Sequence, residues 1–266
     1  MSAAEAADRF EGKMMESVLN NMTVEGKAQI LVDSLPYIRD FNQKIIVVCY
    51  SCSNLLSDEQ EKDVMRDIAL LKSIGMKPIL VHDSRMGHDK FRENKRLAKL
   101  IELCGIKAVG ICGFDYQTLH MTLENNYIPV VTPNDIDTED TPISPEEAAV
   151  QIALAMKAEK VLFMGKEDGI HDPETGKIIS QMTIGEVMAL RSAGHCDAPE
   201  KARLRVKVDY ALQLLQQGIP RVHIISGQMA HAMVIEIFSV IGIGTVIMED
   251  REHYYPHELL VHRKRG

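Results

Sequence analysis

Short apolar runs alternate along this chain with longer segments whose apolar positions recur at helical spacing. The runs are Lys44–Cys49, Pro78–His82, Lys107–Cys112, Ile128–Thr132, Lys160–Met164, Val222–Ser226 and Gly244–Met248. Most are apolar on successive residues, so they predict strands buried on both faces. Ile45–Asn54 is the clearest case: four β-branched residues lead into the small and polar stretch Cys49, Tyr50, Ser51, Cys52, Ser53, Asn54. The intervening segments predict helices. Thr23–Arg39 carries Ile30, Leu31, Leu35 and Ile38 on one face, with Thr23 as N-cap. Ser57 caps an acidic-first-turn helix that ends at Gly75. Further helices are expected over Lys90–Cys104 and Tyr116–Asn125, from Pro145, from Thr183 to Ala193, up to Gln217, and over His231–Ser239. Strands alternating with amphipathic helices predict an α/β chain with a largely parallel sheet.

The ends and one middle segment stand apart. Ala3 to Asn20 reads as a helix with the stripe Phe10, Met14, Val18, so residues 1–22 are expected to be an oligomerisation helix added to the core. Residues 23–248 read as one domain, and Pro133–Pro145 as a surface loop and the best candidate for an internal boundary. Gly165–Lys177 reads as a loop with a hairpin. The polar tail, residues 249–266, carries His253, His257 and His262 and is expected to be solvated.

Composition narrows the function classes. The chain has 266 residues, 45% hydrophobic and 26% charged, as in ordinary soluble domains. No window reaches the roughly 18–20 apolar residues of a membrane span, and the charged N-terminus does not read as a secretory signal. A net charge of −8 argues against broad nucleic-acid binding. Five cysteines, an odd number in apolar or strand-end settings, fit a reducing cytoplasm. With no Trp, stacking platforms are scarce.

Ligands of α/β sheets bind at the carboxyl ends of strands, so the residues found there are the first candidates for chemistry. Cys49 and Cys52 form a C-x-x-C, Cys112 ends another strand, and His82 ends a third. They could converge as a metal or reactive-thiol site, or simply be small residues filling space. His195-Cys196-Asp197 are adjacent on a loop, where neighbouring side chains seldom face one another, and are expected to be structural.

AQILVDSLPYIRDF with KIIVVCY, DVMRDIALLKSIGMKPILVH, ENNYIPVVTP with EEAAVQIALAMKAEKVLFM, and IPRVHIISGQMAHAMVIEIFSVIGIGTVI together resemble N-acetylglutamate kinase, of the amino acid kinase family. The resemblance covers roughly residues 27–248. It implies a three-layer α/β/α sandwich around a parallel-rich sheet, with the acyl substrate towards the N-terminal half and ATP towards the C-terminal half.

The chain departs from the family pattern at its phosphate-binding motifs. Cys49-Tyr50-Ser51-Cys52 stands where the family has K-Y-G-G, and His82-Asp83-Ser84-Arg85 where it has H-G-G-G. Asp83 would put a negative charge beside a phosphate. The family's substrate lid with R-V-T, and its hairpin after S-G-K-D, have no counterpart. Glu146 replaces the Asp of N-I-N-A-D. Lys207 aligns with the family's second catalytic lysine, and Gly165, Asp168 and Gly169 lie in the segment that ordinarily holds ATP. Arg85, Arg92 and Lys95 offer charge for a rebuilt phosphate site. In arginine-inhibited members an extra N-terminal helix links dimers into a hexamer and arginine binds beside it; the matching positions here are His231, Glu236, Gly242 and Gly244. The expectation is a degenerate homologue, a dimer or a hexamer through its N-terminal helix, that binds a small molecule or acts in regulation or assembly. The alternatives are an active ATP- and Mg-dependent kinase with an altered site, and thiol-based metal or redox chemistry.

Overall fold

The computed structural model describes residues 23–51, 55–83, 89–113, 115–133, 143–195, 198–239 and 242–250. The expected helix over Ala3–Asn20, the tail histidines, Cys196, Asp197, and most of the loop after Pro133 lie outside the described residues.

Among the described residues eight strands form one sheet. In chain order the elements are α1 (Val24–Phe41), β1 (Ile45–Tyr50), α2 (Asp58–Ser73), β2 (Lys77–His82), α3 (Lys90–Glu102), β3 (Ala108–Cys112), α4 (Tyr116–Glu124) and β4 (Ile128–Thr132). They continue with α5 (Pro145–Met156), β5 (Lys160–Gly165), β6 (Gln181–Thr183), α6 (Ile184–Ser192), α7 (Ala202–Gln216), β7 (Arg221–Ser226), α8 (Ala232–Phe238) and β8 (Thr245–Met248). The strand order is β3-β4-β2-β1-β5-β7-β8-β6. Every pairing is parallel except β7 with β8.

Alternate side chains of the central strands enter two separate cores. Val47, Cys49, Val81, Val131, Phe163 and Ile224 face α4, α5 and α7. Ile46, Val48, Tyr50, Leu80, Met164 and Ile225 face α1, α2, α3 and α8. Both faces are covered, so both side-chain sets must be apolar and the strands read as unbroken runs. The result is the expected α/β/α sandwich. Each fully buried aliphatic side chain contributes roughly 1.5–3 kcal/mol, and Tyr50 adds a ring whose hydroxyl donates to Glu61 at 3.0 Å.

Local signals mostly fall where the sequence places them. Ser57 and Thr183 each close a capping box, and Pro145 occupies the first turn of α5 behind the N-cap Ser144. Two expectations need correction. β6 lies outside all the expected strands. It is only three residues long and is held by parallel pairing to β8, a tertiary contact that no local period announces. Leu35 was placed on the apolar face of the first helix but is 57% exposed, whereas Tyr37 and Phe41 are buried. The helix turns its aromatic i, i+4 pair inward, where it meets Phe238 of α8.

Candidate functional site

The carboxyl ends of β1, β2 and β5 open into a cleft of about 410 Å³. Ser51 and Asp83 line it from the strand ends, and Ser144, Pro145 and Glu146 from the start of α5. Glu167 follows β5, while Arg203 and Lys207 come from the first turns of α7. The site therefore draws on loops of the parallel sheet and on two helix N-termini, as doubly wound folds do.

Lys207 is the buried cation of this cleft. Its side chain is 3% exposed, and its Nζ donates to Glu167 Oε2 at 2.7 Å. The lysine lies across the end of β5. A Cβ at residue 165 would sit 2.0 Å from Nζ, so Gly165 is what lets the ammonium settle there. Burial would push the Glu167 carboxyl up, but the hydrogen bond and charge of Lys207, with Arg203 further off, hold it below the usual carboxylate value.

Cys49 sits under the same cleft and is fully buried. Burial first, then the nearby Glu146 carboxylate, push its thiol well above the usual value, and Lys207 offsets only part of this. Such a thiol stays protonated and makes a poor nucleophile or metal ligand. Ser51 is tied back as well: its N–H and its hydroxyl both donate to the Met164 carbonyl, at 3.0 and 3.3 Å.

Of the four residues that could have converged as a metal or thiol site, the structure separates Cys49, His82 and Cys112. Cys49 pairs in register with Val81, so His82 projects from the opposite face, beside Tyr50. There His82 is buried, with Nδ1 against the Asp83 carbonyl at 2.6 Å and Nε2 against the Asn94 amide at 3.0 Å. Burial lowers its pKa, so the ring is neutral, donates to Asp83 and accepts from Asn94. Cys112 is an exposed residue of β3, with β4 and β2 between it and β1. Three strand spacings of about 4.8 Å put it roughly 14 Å from Cys49, twice the reach of a disulfide. Among the described residues no group of three His, Cys, Asp or Glu side chains could hold a metal ion. Cys52, Ser84 and Arg85 lie outside the described residues.

The remaining candidates divide between the cleft and other places. Glu146 and Lys207 both line the cleft, as do Ser51 and Asp83. Asp168 turns away and pairs with His171 at 2.7 Å. Gly169 packs on Thr245, whose hydroxyl accepts from the Ile170 amide at 2.8 Å. Neither Asp168 nor Gly169 is among the cleft-lining residues.

The effector-like positions are occupied from within the chain. Glu236 is buried, with Oε1 against His223 Nδ1 at 2.8 Å and Oε2 accepting the Gly244 amide at 3.0 Å. A Cβ at Gly242 would collide with that carboxylate, and one at Gly244 with the Ile224 carbonyl. His231 pairs with Asp67 at 2.8 Å. Glu236, one of the positions that match the effector segment, has protein partners for both of its carboxylate oxygens. Sequence reasoning missed Glu167, Ser144 and Arg203 as cleft residues. Arg203 stands one helical turn before Lys207, a spacing that could have found it.

A three-layer α/β/α unit with a lysine and several carboxylates at the strand ends defines an α/β protein with a charged cleft at the switch of its parallel sheet. Residues 94–226 match the model of the amino acid kinase family. An acetylglutamate kinase of Caldicellulosiruptor saccharolyticus is 30% identical, over 83% of this chain and 96% of its own length. One from Campylobacter jejuni is 29% identical, over 83% of this chain and 98% of its own. N-acetylglutamate synthase from Neisseria gonorrhoeae, solved with coenzyme A and N-acetyl-glutamate, shares the fold: TM-score 0.68 at 19% identity, over 89% of this chain and 68% of that one. The chain belongs to the amino acid kinase family. No helix among the described residues is long and apolar enough to cross a membrane.

Proposed function

We propose that this member of the amino acid kinase family does not phosphorylate N-acetylglutamate and instead binds a small molecule in the cleft at the strand ends. One observation carries the reading: the cleft's buried cation, Lys207, is already neutralised by Glu167. Phosphoryl transfer is almost entirely positioning and charge neutralisation. Among the described residues that line the cleft, Asp83, Glu146 and Glu167 are acidic and only Arg203 and Lys207 are basic. A polyphosphate would face a like-charged wall, at a cost on the order of 4 kcal/mol per contact at 4 Å and an effective permittivity near 20. Cys49, with its buried and protonated thiol, supplies no positive charge at the end of β1.

The alignments support the same reading from another side. The match to the Campylobacter jejuni kinase runs over 279 positions, yet 83% of this 266-residue chain is only about 221 residues. The relative therefore carries several dozen positions with no counterpart here, in keeping with a missing substrate lid.

The test is acyl-phosphate formation from N-acetylglutamate and MgATP, trapped with hydroxylamine. The expected rate is at least a thousandfold below the roughly 1–100 s⁻¹ of working kinases; turnover within that range would overturn the proposal. A second reading, an active phosphotransferase with a different acceptor, is favoured by Lys207 still reaching the carboxyl end of β5. ATP consumption that depends on one member of a panel of carboxylates, and on Lys207, would select it. Self-association through residues 1–22 is part of the proposal. The exposed Val32 and Leu35 on α1, the helix that follows this segment, support it. Native mass spectrometry of a chain starting at residue 23 should show a smaller assembly than the full chain.

A further inference from the structure

Lys207 and Glu167 lie forty residues apart in sequence and meet at one point of the cleft wall. Three features act on the same ammonium. Gly165 leaves it room against the end of β5. Its own side chain is almost wholly withdrawn from water. Glu167 supplies an anionic acceptor at hydrogen-bond distance. A buried ammonium needs an anion close by, because the lost hydration is otherwise uncompensated. Here the chain provides that anion, on a side chain that itself lines the cleft.

We propose that Glu167 is a built-in anionic ligand of Lys207, a specificity-determining residue that keeps phosphate anions out of the cleft. The inference rests on the cleft being the ligand site of the proposed function. A phosphate-bearing ligand must displace the Glu167 carboxylate from Lys207, and then sit beside that carboxylate and those of Asp83 and Glu146. A neutral or cationic ligand meets no such competition. The cleft thus selects by the sign of charge, and Glu167 is the residue through which it does so.

The experiment compares inorganic pyrophosphate binding, by calorimetry at fixed ionic strength, in the full chain, in Glu167→Gln, and in Glu167→Gln with Lys207→Met. Glu167→Gln keeps the length and an acceptor oxygen but removes the charge. It should bind pyrophosphate at least about tenfold more tightly than the natural chain, and the added Lys207→Met should cancel the gain. Equal affinity in the natural chain and Glu167→Gln overturns the proposal, as does a gain that survives the loss of Lys207. If Glu167→Gln does not fold, the Lys207 ammonium of the natural chain is followed by ¹⁵N NMR during pyrophosphate addition. An unmoved signal at millimolar pyrophosphate is expected; a signal that moves to saturation in the micromolar range overturns the proposal. Acyl-phosphate formation by the natural chain at kinase rates would instead remove the proposed function and leave the binding comparison readable by itself.

Discussion

Two carboxylate pairs, His223–Glu236 and Lys207–Glu167, do different work because of what surrounds them. The first is sealed between β7 and α8. Both carboxylate oxygens of Glu236 are used, one by His223 and one by the Gly244 amide, and Gly242 leaves no space for a side chain over them. It joins α8 to the turn leading into β8, and no ligand can reach it without local opening. The second pair stands at the edge of an open cleft. One Glu167 oxygen holds Lys207, and the side chain keeps 16% exposure. A buried pair enclosed on all sides stabilises the fold, while the same chemistry at a cleft wall decides what may enter.

That contrast can be broken or sharpened by substitution, and the largest effect should come from the sealed pair. Glu236→Ala leaves His223 and the Gly244 N–H buried without an acceptor, each at about 1–3 kcal/mol, and should lower Tm by roughly 10 °C, read by calorimetry. Gly244→Ala would place a Cβ 2.3 Å from the Ile224 carbonyl oxygen. It should cost about 1–3 kcal/mol, as overpacking does, and be seen as a lower denaturant midpoint. Glu167→Gln should cost less, about 1–2 kcal/mol, because the amide oxygen can still accept from the Lys207 ammonium. A Glu167→Gln loss as large as that of Glu236→Ala would mean the cleft pair is structural after all.

Acid titration separates the two pairs further. Burial holds the folded-state value of His223 below its ordinary 6.5. As pH falls below 6.5 the unfolded chain takes up this proton first and stability declines. Glu236 and Glu167 are both held below their ordinary 4.5: burial opposes this, but His223 and Lys207 respectively outweigh it. Their contributions are complete above 4.5 and are lost as pH falls through the lower folded values. Stability against pH should therefore fall in two stages. Glu236→Ala should deepen the first, since the carboxylate that favoured His223 protonation is gone, and Glu167→Gln should flatten only the second. The smallest effect concerns the thiols. In the folded chain maleimide should label exposed Cys104 and Cys112 but spare Cys49, which should react only on unfolding, as site-resolved mass spectrometry would show.

How much of this was legible in the sequence follows from the range of the forces involved. The strands and the helix caps are set by local pattern, and Ser57, Thr183 and Pro145 were readable because capping acts within a turn. β6 was not, because three residues carry no period and the pairing partner is distant. Ser51, Asp83, Glu146 and Lys207 were found because strand ends and the family motifs point at them. Glu167 was hidden: nothing near it in sequence says that a lysine forty residues on will fold back over Gly165. The convergence of Cys49, Cys112 and His82 failed on register and strand order. The first puts His82 on the wrong face and the second puts Cys112 at the sheet edge. Likewise Glu236 matched a motif, but only the structure pairs it with His223.

The central claim is that Lys207 is held by Glu167 and not offered to a phosphoryl group. The most direct measurement is ¹⁵N NMR of the Lys207 ammonium in the full chain, with Glu167→Gln as the reference, before and after addition of MgATP and N-acetylglutamate. A resonance that differs between the two proteins and does not move when both compounds are added is the predicted result. A Lys207 signal that shifts on adding them, with acyl phosphate accumulating in the same tube, would contradict it.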